Sequence, residues 1–543
     1  MLYFQPTGRK FQLDGACAVK KFIPLTILLL TLASLTSACA GVTLPWAASP
    51  AVDPLADYRA AMAPSQQSLL DELPSMPQYR IETTIDPVDL SLTGRMEVTL
   101  PPVPADALPD TLYFRLYPNL AHYAGGMSVD LVSVNDHGAP FSYEAANTAV
   151  RVVVPPDSVK AGEPIRVGMQ WRLQVLPFDE SRYTLLGSAG GVLSLPLFYP
   201  VLAPKDADGQ WRLDLGLVQG DAAYTEAALY DVTAIVPPNY SVAGSGSLVT
   251  VTDARGPVPE ADDAAAPPVW KAWHMVSGPA REFALFVSDQ YRQSETYAGD
   301  VRVVSWYRPG EEMDGRAAAE YAAAALRIYS DLFGPYPYAE LDVVSGPIEF
   351  RGMEYPGLFE LGYKLYGANA DELEFRIAHE TAHQWWYNLV GNDPVNAPWL
   401  DEGLAEYSTY FYRELTRGPA AADRLAQRRW QAAWESLRDR GLDDVVNQPV
   451  EAFQGNYETL VYGKAALFHH LLRQAMGEDA YLTLLRRYVA TYRFRQATPD
   501  DFMALAEEIG GPQVRELYDK WITHDDEGRP ARAPVPTAPT PQP

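Results

Sequence analysis

The tightest constraint on this chain lies at residues 379–402. His379 and His383 stand four apart with Glu380 beside the first, and Glu402 follows after residues 384–401, inside Trp-Leu-Asp-Glu-Gly. Four residues make about one helical turn, so a helix here projects both imidazoles from one face. DELEFRIAHETAHQWWYNLVG reads as that helix, with acids in its first turn and Gly391 at its end. A second helix, from about Asp401 to Leu415, follows a loop (Gly391 to Pro398) long enough to turn it back across the first. Whatever else the chain builds must hold two helices together around polar side chains.

The rest of the sequence divides into two patterns. From Tyr79, YRIETTIDPVDLSLTGRMEVTL alternates apolar and polar residues, with Asp-Pro and Thr-Gly read as turns, and similar short runs recur to about residue 290. Residues 77–290 are therefore expected to form an all-β, sandwich-like domain, with 255–268 as a hairpin tip. After about residue 300 the pattern becomes helical: an alanine-rich helix stopping at Gly334-Pro335, a short strand in LDVVSGP, then helices near 401–415, 420–440, 462–474 and 499–523. Residues 291–526 read as a second, mixed α/β domain with a helical end. A chain of 543 residues, 47% hydrophobic, has the length and apolar content for such cores.

Lys20 and Lys21 precede an uncharged apolar run that ends in small residues at Cys39, the order of an export signal over residues 1–39. Leu35-Thr36-Ser37-Ala38-Cys39 resembles a bacterial lipobox, with Thr36 where leucine is usual, so Cys39 is the expected lipidation site. Its cleavage and lipidation would put the protein in the cell envelope, on the outer face of the cytoplasmic membrane. A simply cleaved signal would leave it periplasmic or extracellular, and an uncleaved span is the other alternative. Residues 40–76, rich in Ala, Pro and Ser, read as a tether, and 527–543 as a disordered proline-rich tail. The formal charge of −26 argues against nucleic acid as a partner and leaves the N-terminal anchor as the membrane contact.

Only Cys17 and Cys39 are cysteines, so a metal in the globular part must be held by histidine and carboxylate. Zinc suits two neutral imidazoles, and a catalytic zinc takes three protein ligands, with Glu402 as the candidate third. Glu380, one position round, is placed to take a proton from a water at that metal. Glu406, a turn after Glu402, can hydrogen-bond the outer nitrogen of a ligand histidine.

These residues resemble the zinc aminopeptidase family of aminopeptidase N and leukotriene hydrolase, the gluzincin peptidases. Its His-Glu-x-x-His, eighteen residues, Glu signature corresponds to His379, Glu380, His383 and Glu402. Its Gly-Ala-Met-Glu-Asn motif appears as Arg351-Gly352-Met353-Glu354-Tyr355, and its Tyr-x-Lys-Gly-Ala as Tyr462-Gly463-Lys464-Ala465-Ala466. The resemblance implies a multidomain α+β fold with a thermolysin-like catalytic domain and one Zn²⁺ per chain. It further implies that Glu354 binds the substrate's free α-amine with help from Glu402, that Gly352 and Met353 line an edge strand that pairs with the peptide, and that Tyr462 donates to the oxyanion. Arg351 and Tyr355 depart from the usual motif, the β region shows no clear Pro-Cys-x-Asp-x-Pro, and the chain ends soon after LYDKWITHDD. A short form without the large C-terminal helical domain, with a more open cleft, is expected.

The function so implied is a zinc aminopeptidase acting on peptides with free N-termini outside the cytoplasm. The alternatives are a zinc endopeptidase or specialised peptide hydrolase of the same fold, and a catalytically silent envelope binding protein.

Overall fold

A computed structural model describes residues 53 and 55–529, apart from 122, 124, 179–183, 207, 215–222, 258–267, 349–350, 368 and 526–527. The export signal, Cys39 and most of the tail lie outside the described residues, as does the tip of the 255–268 hairpin.

Part of the expected tether is folded. Helices α1 (Ala56–Ala60) and α2 (Leu69–Glu72) bury Tyr58, Leu69 and Leu70, and Met62 between them joins the same core as the histidine-bearing helix. Ala63 N–H donates to the Pro337 carbonyl at 2.8 Å, and Ala339 N–H to that of Ala61 at 2.9 Å. Alanine and proline disguised the segment, because few of its residues are large enough to register as apolar pattern.

The β region is built on an eight-stranded sheet. Its central strands, Gln78–Asp86, Ser91–Leu100 and Ile165–Gln174, pair antiparallel, while Gln78–Asp86 also pairs parallel with Ala228–Val236. Residues alternate between buried and exposed along Gln78–Asp86, as a sheet with one covered face requires. The covered face shares one core with two four-stranded sheets, through residues such as Tyr79, Ile81, Phe114, Val150, Leu195 and Leu285. The expected Thr93–Gly94 turn lies inside a strand: Trp171 of the neighbouring strand covers Gly94, where a Cβ would sit 2.1 Å from the indole. Glycine here makes room rather than a bend.

A five-stranded sheet follows, in the order Arg292–Ala298, Val301–Tyr307, Glu340–Gly346, Leu358–Gly362, Gly352–Met353. Its three inner strands run parallel, and Gly352–Met353 is an antiparallel edge. Both faces are covered. Val303 and Val343 enter the helical core while Val304, Trp306, Val344 and Met353 enter the β-domain core, which is why these strands read as unbroken apolar runs. Helix α3 (Glu312–Phe333) crosses between two of the parallel strands, and its buried alanines, including Ala318, Ala322 and Ala325, allow close packing.

Helix α4 (Ala370–Ala382) carries the histidines, and Asn369 caps it through its side chain. It ends at His383 rather than at Gly391. Beyond it the backbone turns at Tyr387 (φ 127°), and Val390–Gly391 pairs parallel with Arg495–Gln496. Trp385, Trp386 and Leu389 prolong the apolar pattern, but from a buried turn. Helix α5 (Trp399–Arg417) brings Glu402 back to α4. Tyr329 of α3 locks the pair, its hydroxyl 3.0 Å from the Ala378 carbonyl and 3.1 Å from that of Ser408.

Helices α6 (Pro419–Ala426) and α7 (Ala432–Asp439) are joined by a π-helical stretch, Gln427–Gln431, and a second one, Thr459–Lys464, leads into α8 (Ala465–Met476). Helix α9 (Glu478–Tyr492) fills a segment with no expected element. The 499–523 segment breaks at Gly511-Pro512 into α10 (Pro499–Gly510), α11 (Gln513–Tyr518) and a final π-helical turn.

Candidate metal centre and active site

The histidine face of α4, the start of α5, the Gly352–Met353 edge and both π-helical stretches enclose a cavity of about 770 Å³. π-helical turns widen a helix locally and commonly occur at functional sites, and here they deliver Trp430 and Tyr462 to the cavity wall.

At its floor His379 Nε2 and His383 Nε2 lie 3.1 Å apart, and Glu402 Oε2 lies 3.2 Å from the first and 3.3 Å from the second. His383 Nδ1 donates to the Trp386 carbonyl at 2.8 Å, which leaves its Nε2 lone pair facing the triangle. His379 Nδ1 faces Glu406 Oε2 at 3.1 Å, and Trp430 Nε1–H donates to the other Glu406 oxygen at 2.7 Å. Both imidazoles are thus held from behind with their free nitrogens converging on a carboxylate.

This donor set fits zinc. A tetrahedral ion with bonds of about 2.0–2.1 Å holds neighbouring ligand atoms about 3.3–3.4 Å apart, close to the spacing seen here. All three residues are buried, and the Glu402 carboxylate offsets part of the charge of a dication. The electrostatics point the same way. Burial pushes the His379 imidazole down, but Glu402 and Glu406 outweigh it and carry it up to about 10; burial also lowers His383, which Glu402 raises overall. Burial would raise Glu402, yet the two histidines hold it well below the usual carboxylate range. Each of these shifts records the pull between the imidazoles and the carboxylates of the cluster.

Glu380 is buried beside the triangle, and burial pushes its carboxyl up. It lies against the edge strand: a Cβ on Gly352 would sit 1.9 Å from Glu380 Oε1. Glu354, 5% exposed, lines the same cavity, with carboxylate, His383 and Asp401 ligand atoms within 4.8 Å of one another. Tyr462 stacks on His379 with ring centres 5.8 Å apart, and its hydroxyl donates to Glu402 Oε1. Met353 also borders the cavity from the edge strand, with its side chain packed into the β-domain core.

The structure therefore gathers His379, Glu380, His383, Glu402, Glu406, Tyr462, Glu354, Gly352 and Met353 around one space. Sequence reasoning missed Trp430, which steadies Glu406 from a helix 24 residues away. It also missed Gln384, whose amide spans Gly357 N–H (2.9 Å) and the Tyr355 carbonyl (3.1 Å), tying the loop after Glu354 to the end of α4. Arg351 also lines the wall, and three further arginines there, Arg376, Arg428 and Arg429, carried no signal beyond ordinary helix charge.

Residues 317–521 match the peptidase family M1 domain. Aminopeptidase M1-D of Oryza sativa subsp. japonica is 26% identical over 246 residues, which span 42% of this chain and 28% of that protein. The alanine/arginine aminopeptidase of Saccharomyces cerevisiae is 25% identical over 264 residues, 44% of this chain and 29% of that protein. The chain thus spans less than a third of the length of these curated relatives. Among solved structures, an M1 zinc metallopeptidase from Deinococcus radiodurans superposes with a TM-score of 0.59 at 20% identity, covering 83% of this chain and 94% of that one. A mutant two-domain M1 zinc metallopeptidase bound to L-arginine gives 0.62 at 20% identity, covering 86% and 98%. The mixed α+β architecture is thus that of two-domain M1 metallopeptidases, and the similarity of residues 317–521 to the peptidase family M1 domain agrees with the resemblance to the aminopeptidase N-like gluzincin group.

Proposed function

We propose that the protein is a zinc-dependent aminopeptidase that removes N-terminal residues from peptides. The observation that carries this reading is the convergence of His379, His383 and Glu402 within 3.1–3.3 Å, beside Glu380, in a cavity that also holds the buried carboxylate of Glu354. His379, His383 and Glu402 would hold one Zn²⁺ per chain, which supplies a Lewis acid that polarises the scissile carbonyl and acidifies water.

The chain's own residues do the rest. Glu354 pairs with the substrate ammonium, with Glu402 alongside, and so measures one residue from the chain end. Among the described residues Gly352 and Met353 have one strand partner and leave an open edge to which a peptide backbone adds. Glu380 accepts the proton of the attacking water and passes it to the leaving amine. Tyr462, now donating to Glu402, swings its O–H to the oxygen that becomes negative as the carbonyl is attacked.

The test is a pair of measurements on Glu380→Gln. Zinc by elemental analysis should stay near one per chain while turnover disappears. Substantial residual hydrolysis would remove Glu380 as the base, and zinc near zero in the unaltered protein would favour a silent binding role.

We also propose export to the envelope with lipidation at Cys39, resting on the charged, apolar, small-residue order of residues 20–39. Among the described residues no helix is long and apolar enough to cross a membrane. Mass spectrometry of the mature N-terminus should find a lipid-modified cysteine. A free cysteine-less terminus downstream of Cys39 would indicate simple cleavage instead.

A further inference from the structure

The cavity has a second pole. Arg376, Arg428 and Arg429 line it together with the histidine–glutamate triangle, although the chain as a whole carries a net charge of −26. Arg376 lies one turn before His379 and Glu380 on the same face of α4. Arg428 and Arg429 come from the π-helical stretch that also supplies Trp430. Glu406 and Glu380 act on Arg376 through space, and Glu406 on Arg429, but direct side-chain partners of the three are few. Arg376 Nε donates to Glu372 at 3.2 Å, and Arg429 pairs with the same Glu372. Among the described residues Arg428 has no carboxylate partner; its Nε donates to the Arg424 carbonyl at 3.3 Å. Arg429 is held flat over the buried Phe375 ring, its guanidinium carbon 3.5 Å from the ring centre. Arg376 and Arg429 thus share the Glu372 carboxylate, and Arg428 pairs with none among the described residues.

The position of this pole matters more than its charge. Glu354 sits near His383, at the C-terminal end of α4, whereas Arg376 is seven residues earlier on the same helix. At 1.5 Å per residue the two ends are about 10 Å apart along the helix. An extended peptide advances about 3.3–3.6 Å per residue, so that span is about three residues. A substrate bound by its ammonium at Glu354 would bring its second or third residue to the arginines.

Building on the aminopeptidase reading, we propose that Arg376, Arg428 and Arg429 form a subsite for a substrate carboxylate two or three residues from the free amine. That selects short peptides, whose own C-terminus reaches the arginines, or longer ones with Asp or Glu there. Planar guanidiniums suit this role because they grip a carboxylate with paired N–H donors.

The test uses three matched peptides with free N-termini: Ala-Ala-Ala as the acid, Ala-Ala-Ala-amide, and Ala-Ala-Glu-amide. For the unaltered protein, kcat/KM for the acid should exceed that for the neutral amide by about tenfold or more, as for a charge-assisted hydrogen bond. Recovery by the glutamyl amide would show that a side-chain carboxylate serves as well, and no recovery would restrict the subsite to the chain terminus. Arg428→Gln, an exposed change that leaves the core untouched, should move the acid-to-amide ratio towards one, and Arg428→Lys should restore part of it. Equal rates for all three peptides would overturn the subsite while leaving the aminopeptidase reading intact. If turnover fails throughout, calorimetric binding of the same peptides to Glu380→Gln protein reads the ratio directly, and equal affinities for acid and amide would again overturn it.

Discussion

Gly352 and Glu380 are packed so closely that a single methyl group would separate them: its carbon would lie 1.9 Å from Glu380 Oε1. The edge strand that is to bind the peptide therefore also sets the position of the proposed base. Gly352→Ala should displace that carboxylate by an ångström or so and lower kcat about 10²-fold, with zinc content unchanged. Steady-state kinetics beside elemental analysis checks this. A variant with undiminished kcat would show that Glu380 has room to move and is not set by the strand.

Trp430 bears on the proposed metal centre by donating to Glu406 behind His379. Trp430→Phe keeps the ring and removes the N–H. It should weaken zinc binding about 10–100-fold, read by competition with a chromogenic chelator, while the folded spectrum persists. Unchanged zinc affinity would make Trp430 a packing residue.

Tyr462→Phe should lower kcat about 10²–10³-fold and leave KM nearly unchanged, because the hydroxyl's contribution arises as charge develops on the carbonyl oxygen. A rise in KM with kcat intact would instead make this tyrosine a ground-state binding residue.

Met62 is 1% exposed and belongs to the segment whose composition reads as a tether. Met62→Ala should destabilise the protein by about 2–5 kcal/mol in urea denaturation. Met313→Ala, at a site 76% exposed, should stay within about 0.5 kcal/mol. Equal values would mean that residues 55–73 are not docked in solution.

The contrast between Met62 and His379 shows what sequence reading can reach. The proposed triangle was legible because an i, i+4 histidine pair on one helix and a glutamate at the start of the next lie close together in sequence. The docked 55–73 segment was not, since its burial depends on Tyr338 and Pro337, nearly three hundred residues away, and its alanines look alike buried or exposed. The end of α4 was misplaced for a related reason: Trp385 and Trp386 are buried as a helix pattern predicts, but against Phe333 and Tyr336 from a turn. Arg376, Arg428 and Arg429 are unremarkable helix charges until α4 and the π-helical stretch face one cavity.

The central claim is that a metal held by His379, His383 and Glu402 works on peptides anchored by their amine at Glu354. Its most direct test is hydrolysis of a tripeptide and its N-acetyl form by the whole chain, with zinc and with chelator. The account predicts cleavage of the free peptide alone, lost with chelator and restored by zinc. Cleavage of the acetylated peptide at a comparable rate would contradict the role of Glu354, and cleavage that survives chelation would contradict the metal centre itself.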